Sequence, residues 1–299
     1  MSPDLRAFLV SWEWDPTVLV GLALGAWLYA RGWRRLRRRG HGARWLKPWR
    51  AWCYYIGLGF IFLALLSPID TYDSLFFTMH MIEHLLLIMF AAPFIWLGAP
   101  LLPVLWAFPR DGRRRIGRIF RRTHPVHRMF TWLTSAPIAL TIYVLTLVIW
   151  HFPGPYDAAQ GRTLVHDFEH VCFLVAALIF WWPVIHPTGG RRRLSYGMAI
   201  LYLFPAKLAG FVIGAALTLT GQVVYSTYSH VPRLWGLTAI EDQQLGGLLM
   251  WVFGGFLFVV PILFLVTEWM KEEEGDVWTP DTTREQHRRL RGAASGTAP

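Results

Sequence analysis

Long apolar runs separated by short polar links set the pattern of this chain. Seven runs stand out, at roughly 13–31, 50–67, 80–108, 132–151, 165–185, 194–219 and 244–269. A helix rising 1.5 Å per residue needs about 20 apolar residues to cross a ~30 Å hydrocarbon core. The pattern therefore predicts an all-α fold, a polytopic membrane protein built as a seven-transmembrane helix bundle. The third run is long enough to contain a break, and Pro93 and Pro100 supply one. Leu101 to Phe108 then reads as a re-entrant or interfacial stretch. Residues 1–270 form the expected membrane domain. Residues 271–299, mixed in charge and then rich in Gly, Ser and Ala, read as a disordered tail.

Composition agrees. Of 299 residues 54% are hydrophobic and 16% charged, against roughly 25% charged in soluble domains. The net charge of +10 sits in short blocks between apolar spans, which argues against a nucleic-acid partner and for a membrane one. These blocks also orient the bundle. Arg31 to Arg50 carries nine Lys and Arg and no acid, Arg110 to Arg128 carries eight against Asp111, and 186–193 carries Arg191 to Arg193. The alternate links are nearly free of bases: 68–79 has Asp70 and Asp73, 152–163 has only Arg162, and 221–243 only Arg233. The N-terminus is expected outside and the C-terminus in the cytoplasm. No cleavable signal is expected, because no basic segment precedes an apolar one with a cleavage site. Cys53 and Cys172 lie in apolar spans and form no CxxC pair, so both read as structural.

One motif, His-x-x-Glu-His, occurs twice, as His80–Glu83–His84 and as His166–Glu169–His170. Each copy stands near the start of an apolar run. On a helix, positions i, i+3 and i+4 share a face, so each copy presents two imidazoles and a carboxylate in one patch. These are ligands for zinc and first-row transition metals. With the expected orientation both motifs enter the membrane from outside. Asp242 begins the seventh span from the same side and could close the site. Glu83 and Glu169 are either ligands or groups that orient the imidazoles. The bland alternative is a polar cluster at a helix end, which suits one copy better than two at the same depth. Lys207 lies well inside the sixth span, where a lysine either serves function or snorkels. Ala206, Gly210 and Gly214 form a small-residue stripe suited to close helix packing.

These motifs carry a resemblance. MHMIEHLLLIMFAAPFIWLGAP from Met79 to Pro100, HDFEHVCFLVAALIFWWPVI from His166 to Ile185, and WGLTAIEDQQLGGLLMW from Trp235 to Trp251 resemble the CtaG family of membrane proteins that assist assembly of bacterial cytochrome c oxidase. In the last segment Asp242, Gln243, Gly247, Met250 and Trp251 match the family pattern. The resemblance implies a copper-binding factor without enzymatic activity, in the bacterial plasma (inner) membrane. It would act as a chaperone that delivers copper to a haem–copper oxidase subunit after receiving it from an outer-face donor protein. The metal residues are then His80, His84, His166, His170, Glu83, Glu169 and Asp242. The copper oxidation state, the number of ions and any self-association into a homo-oligomer stay open.

Three other chemistries fit the ligands. One is a seven-span zinc hydrolase with a metal-activated water. A second is an HxxEH zinc peptidase, whose soluble setting is missing here. The third is a di-haem cytochrome b with His80 facing His166. Haem would show a Soret band, and a hydrolase would show zinc and turnover.

Overall fold

Helix starts follow proline. In the computed structural model, which describes residues 3–39, 47–121, 123–187 and 194–277, seven helices start with Pro in their first two positions. They are α1 (Pro3–Val10), α2 (Pro16–Arg38), α3 (Pro48–Leu66), α4 (Pro68–Asp73), α9 (Pro125–Leu133), α10 (Ala136–Trp150) and α11 (Pro153–Gln160). Proline is suited there because its fixed φ is already helical and no N–H is needed. The other helices are α5 (Phe77–Leu85), α6 (Ala92–Leu97), which continues the preceding helical turn with Pro93 in its second position, α7 (Leu101–Ala107), α8 (Arg110–Ile119), α12 (Thr163–Ile185), α13 (Tyr196–Leu219), α14 (Ala239–Leu248) and α15 (Gly254–Val277). All regular structure among the described residues is helical. Of the expected tail 271–299, residues to Val277 continue α15. The remainder, with Arg191 to Arg193, lies outside the described residues.

Five helical stretches are long and apolar enough to cross a membrane: Pro48–Asp73, Phe77–Leu97, Thr163–Ile185, Tyr196–Leu219 and Ala239–Glu273. A sixth results if α9 and α10, bent by 66°, make one pass. The protein is thus a multi-pass membrane protein. The expected first span, α2, is not in this set. Its second half carries Arg31, Arg34, Arg35, Arg37 and Arg38, which dilute its apolar half. Two of these arginines end another helix. Arg31 Nε and Arg35 Nη1 donate to the Ala107 carbonyl at 3.1 and 2.6 Å, satisfying the C-terminus of α7.

The expected third run, 80–108, divides at Gly98 to Pro100, where Ala99 takes a positive φ of 47°. The apolar pass therefore ends at Leu97, and α7 is a separate short helix against α2. Within that pass, Leu86–Ala91 is wound as a π-helix between α5 and α6. In this register the Ile88 carbonyl looks to residue 93 for its donor. Pro93 has none. The Trp181 indole N–H on α12 fills the gap, donating to Ile88 O at 2.9 Å. A second indole, Trp96, donates to Leu178 O at 2.7 Å. The π turn is thus paired with α12, the helix that carries the second motif.

Close packing of α13 on α14 depends on glycine. A Cβ at Gly214 would lie 2.8 Å from Gly247 O, and one at Gly247 would lie 2.6 Å from Thr218 Oγ1. Backbones in lipid approach this closely only at small residues. The expected stripe is half used, since a Cβ at Gly210 would meet nothing within 4 Å.

Candidate metal centre

Three helices bring the motif residues together at one end of the bundle. The first motif lies on α5 and the second on α12. α14 crosses the start of α5 and fixes it there. Its Asp242 carboxylate accepts from Phe77 N at 2.7 Å and Thr78 N at 3.1 Å, two of the four unpaired donors at that helix start. The Thr78 hydroxyl returns a bond to Asp242 O at 3.0 Å. α14 is itself held by a capping box between Thr238 and Glu241. Gln243 next to Asp242 anchors the preceding loop, accepting from Val224 N at 2.7 Å and donating to Gln222 O at 3.1 Å.

The imidazoles converge. Ring centroids are 4.2 Å apart for His80 and His84, 4.2 Å for His166 and His170, 5.3 Å for His80 and His166, and 5.6 Å for His84 and His170. His80, Glu83 and Glu169 have no solvent exposure, and His84 and His170 have 4 and 5%. Two sets of ligand atoms lie within 4.8 Å of one another. One set is His80, Glu83, His166 and His170, and the other is His80, His84 and Glu169.

The separations suit a metal ion. Bonds of about 2.0–2.1 Å in a tetrahedron hold neighbouring ligand atoms roughly 3.3–3.4 Å apart. In the second set, Glu169 Oε1 lies 3.6 Å from His80 Nε2 and 3.5 Å from His84 Nε2. In the first set, Glu83 Oε2 lies 3.8 Å from His80 Nδ1 and 3.6 Å from His170 Nε2. His166 Nε2 lies 3.4 Å from His80 Nδ1.

Hydrogen bonding separates the two sets. His80 Nε2, His84 Nε2, Glu169 Oε1, both Glu83 oxygens and His170 Nε2 are buried with no hydrogen-bond partner. Buried polar atoms are seldom left so, and each costs about 1–3 kcal/mol. Ligation to metal would satisfy them in either set, so the residues present fit a metal. By contrast, His80 Nδ1 meets Gln160 Nε2 at 2.9 Å and His166 Nε2 meets Asp73 Oδ2 at 2.8 Å.

Asp242, an expected ligand, is in neither set, and its two oxygens are engaged with the start of α5. Asp73 and Gln160 were not singled out as site residues from the sequence. They sit at the ends of α4 and α11, outside any repeated motif, and only the low base content of their links marks that side of the chain. Asp73 is held from behind. The Tyr228 hydroxyl donates to its backbone carbonyl at 2.9 Å and meets the Tyr156 hydroxyl at 2.9 Å. Burial holds both phenols well above the usual tyrosine range, so they remain donors. Asp157 pins the Ser226–Ser229 turn that carries Tyr228, through Ser226 Oγ at 2.6 Å and Thr227 Oγ1 at 2.9 Å.

Two cavities flank the cluster. One, of about 400 Å³, is lined by Glu13, Asp15, Asp70, Asp73 and Asp167, with His166 and His170 in its wall. The other, of about 50 Å³, touches His84 and is lined by Met81, Met89, Met250, His151 and Lys207. His151 had no assigned role in the sequence. Its Nδ1 bonds Leu147 O at 2.7 Å, and its Nε2 is buried and unpartnered.

Known proteins give the arrangement a context. An uncharacterized protein of Mycobacterium bovis is 31% identical over 281 residues, 91% of this chain and 41% of that protein. An uncharacterized protein of Mycobacterium leprae is 28% identical over 280 residues, again 91% of this chain and 41% of that protein. The chain thus spans about two-fifths of the length of these relatives. No solved structure matches it. The profile of the cytochrome c oxidase caa3 assembly factors matches residues 27–272, including both motif helices and α14. By that match the chain belongs to the cytochrome c oxidase caa3 assembly factor family.

Proposed function

We propose that this protein carries copper in the cluster of His80, His84, His166, His170, Glu83 and Glu169 and supplies it to a haem–copper oxidase during assembly. One observation carries the reading. Three buried ligand atoms, His80 Nε2, His84 Nε2 and Glu169 Oε1, face one another without any other partner. Family membership directs that metal chemistry toward oxidase assembly.

In this reading the chain makes seven passes: α2, α3, α5 with α6, α9 with α10, α12, α13, and α14 with α15. The blocks of Lys and Arg stay in the cytoplasm, so the N-terminus and the cluster face outward. Residues 1–270 form the membrane domain and 271–299 follow it into the cytoplasm. A shallow cluster can take its cargo from a donor protein outside and pass it to an oxidase subunit within the membrane plane. The ion need not cross lipid as a bare charge, which is expensive. Imidazoles with flanking carboxylates bind copper well without forming a closed thiolate cage, so the cargo can leave again. The role is one of handing over a cargo and not of turnover.

The test is made in cells whose only copy has His80, His84, His166 and His170 replaced by alanine. The variant should reach the membrane in normal amount without copper. The oxidase should contain haem but lack active-site copper and activity. Wild-type oxidase copper and activity in those cells would refute the assembly role. Zinc in the purified protein together with ester or amide turnover would replace it with the hydrolase.

A further inference from the structure

The two ring nitrogens of His80 face different ligand sets. Nδ1 lies 3.8 Å from Glu83 Oε2 and 3.4 Å from His166 Nε2. Nε2 lies 3.6 Å from Glu169 Oε1, which is 3.5 Å from His84 Nε2. The lone-pair directions of an imidazole diverge, and one ion cannot take both nitrogens of one ring. The two sets therefore do not merge through His80 into a single coordination shell.

We infer that the cluster is two adjoining cation positions sharing the ring of His80, an outer one at Glu83, His166 and His170 and an inner one at His84 and Glu169. This rests on the copper-carrying reading above and adds the number of ions and their order. The outer position borders the acidic cavity through His166 and His170, and the His166 side chain is 16% exposed. In the inner position His80 and Glu169 have no exposure, and only His84 touches the small cavity of about 50 Å³. A cation drawn into the acidic cavity meets the outer ligands first.

The two positions differ in strength for a visible reason. An ion in the outer one competes with Gln160 for His80 Nδ1 and with Asp73 for His166 Nε2. An ion in the inner one displaces no hydrogen bond from His80 Nε2, His84 Nε2 or Glu169 Oε1. The outer position should bind at least about tenfold more weakly, because it gives up bonds that the inner one never had. Its cargo is thus the more readily exchanged.

The experiment titrates purified full-length protein with Cu(I) against a chromophoric Cu(I) chelator. The wild type should take up about two equivalents in two resolved steps, the imidazole-rich sets being competent for that ion. The double variant Glu83→Gln/His170→Ala should keep only the tighter step, and His84→Ala/Glu169→Gln only the weaker. His80→Ala should weaken both. Helical circular dichroism and elution position identify any variant that has not folded, and the wild-type titration decides the stoichiometry without variants. A single equivalent in the wild type, abolished by either double variant, would overturn the two-position inference and leave the copper-carrying reading intact. No uptake by the folded wild type would overturn both.

Discussion

The Asp242 carboxylate accepts the backbone N–H of Phe77 at 2.7 Å across 165 positions of sequence. That bond, with the one from Thr78, fixes where α5 begins and therefore where His80, Glu83 and His84 point. Replacing Asp242 by alanine leaves one buried and one half-buried donor unpaired and should cost on the order of 3 kcal/mol, since bonds to a charged acceptor count about 1.5–3 kcal/mol each. Asparagine retains an acceptor and should cost less. If Asp242 acts only on the helix start, Asp242→Asn binds the same number of copper ions as the wild type but melts at a lower temperature in detergent. Loss of an ion from a folded Asp242→Asn protein would make it a ligand after all.

Gly247 and Gly210 predict opposite signs. A methyl group at Gly247 falls 2.6 Å from Thr218 Oγ1 and 2.8 Å from Gly214 O, so α13 and α14 must separate. Overpacking of this kind costs about 1–3 kcal/mol. A methyl group at Gly210 meets nothing within 4 Å. There the change removes only backbone freedom from the unfolded chain, and a gain of about 0.5–1 kcal/mol is expected. Thermal unfolding of Gly247→Ala and Gly210→Ala in the same detergent should bracket the wild type. Equal melting temperatures would mean that α13 and α14 do not pack through Gly247.

What could be read from sequence follows from periodicity. His80, Glu83 and His84 share a helix face by spacing alone, and so do His166, Glu169 and His170. The helical state of their segments was legible in the apolar runs. The division of the residues into two sets was not legible, because it depends on the rotation of α5 against α12. Asp73 and Gln160 escaped because each lies at a helix end and reaches the cluster through folding, without any motif of its own. Asp242 was legible as a buried acid facing the site but not as a helix cap, since its partners are backbone N–H groups that every residue carries. The bend between α9 and α10 and the break at Gly98 to Pro100 were only partly visible. Pro100 marked the second, whereas the 66° bend falls at Thr134 and Ser135, just before Pro137, which has no N–H to extend the hydrogen-bond ladder of α9.

The orientation predicted from Lys and Arg can be tested independently of any metal. Single cysteines introduced near Asp73 and near Arg233 should react with an impermeant maleimide added outside whole cells. Cysteines near Arg38 and near Arg118 should react only after the membrane is opened. The basis is that short loops rich in Lys and Arg are retained in the cytoplasm. Outside labelling at Arg118 would invert the bundle, place the histidine cluster at the cytoplasmic face, and remove any route from an outer donor.

His84 and His166 sit in the two sets and should contribute unequally to copper affinity. His84 Nε2 is buried, 3.5 Å from Glu169 Oε1, and has no hydrogen bond to lose when it ligates. His166 Nε2 is already bonded to Asp73 Oδ2 at 2.8 Å, and its side chain is partly exposed. Binding through His166 must break that bond, so the net gain is smaller. Removing His84 deprives the tight set of one of its three members. Even changes outside the ligand shell cost metal sites about 10–100-fold in affinity, and loss of a buried ligand should exceed that. His84→Ala should therefore weaken the tightest Cu(I) step by more than about a hundredfold on that scale. His166→Ala should leave that step within about tenfold of the wild type, because only a group near it is altered. Chelator competition on the two variants measures both. If His166→Ala proves the more damaging, the tight ion lies on the side of the acidic cavity and the assignment of inner and outer strength is reversed.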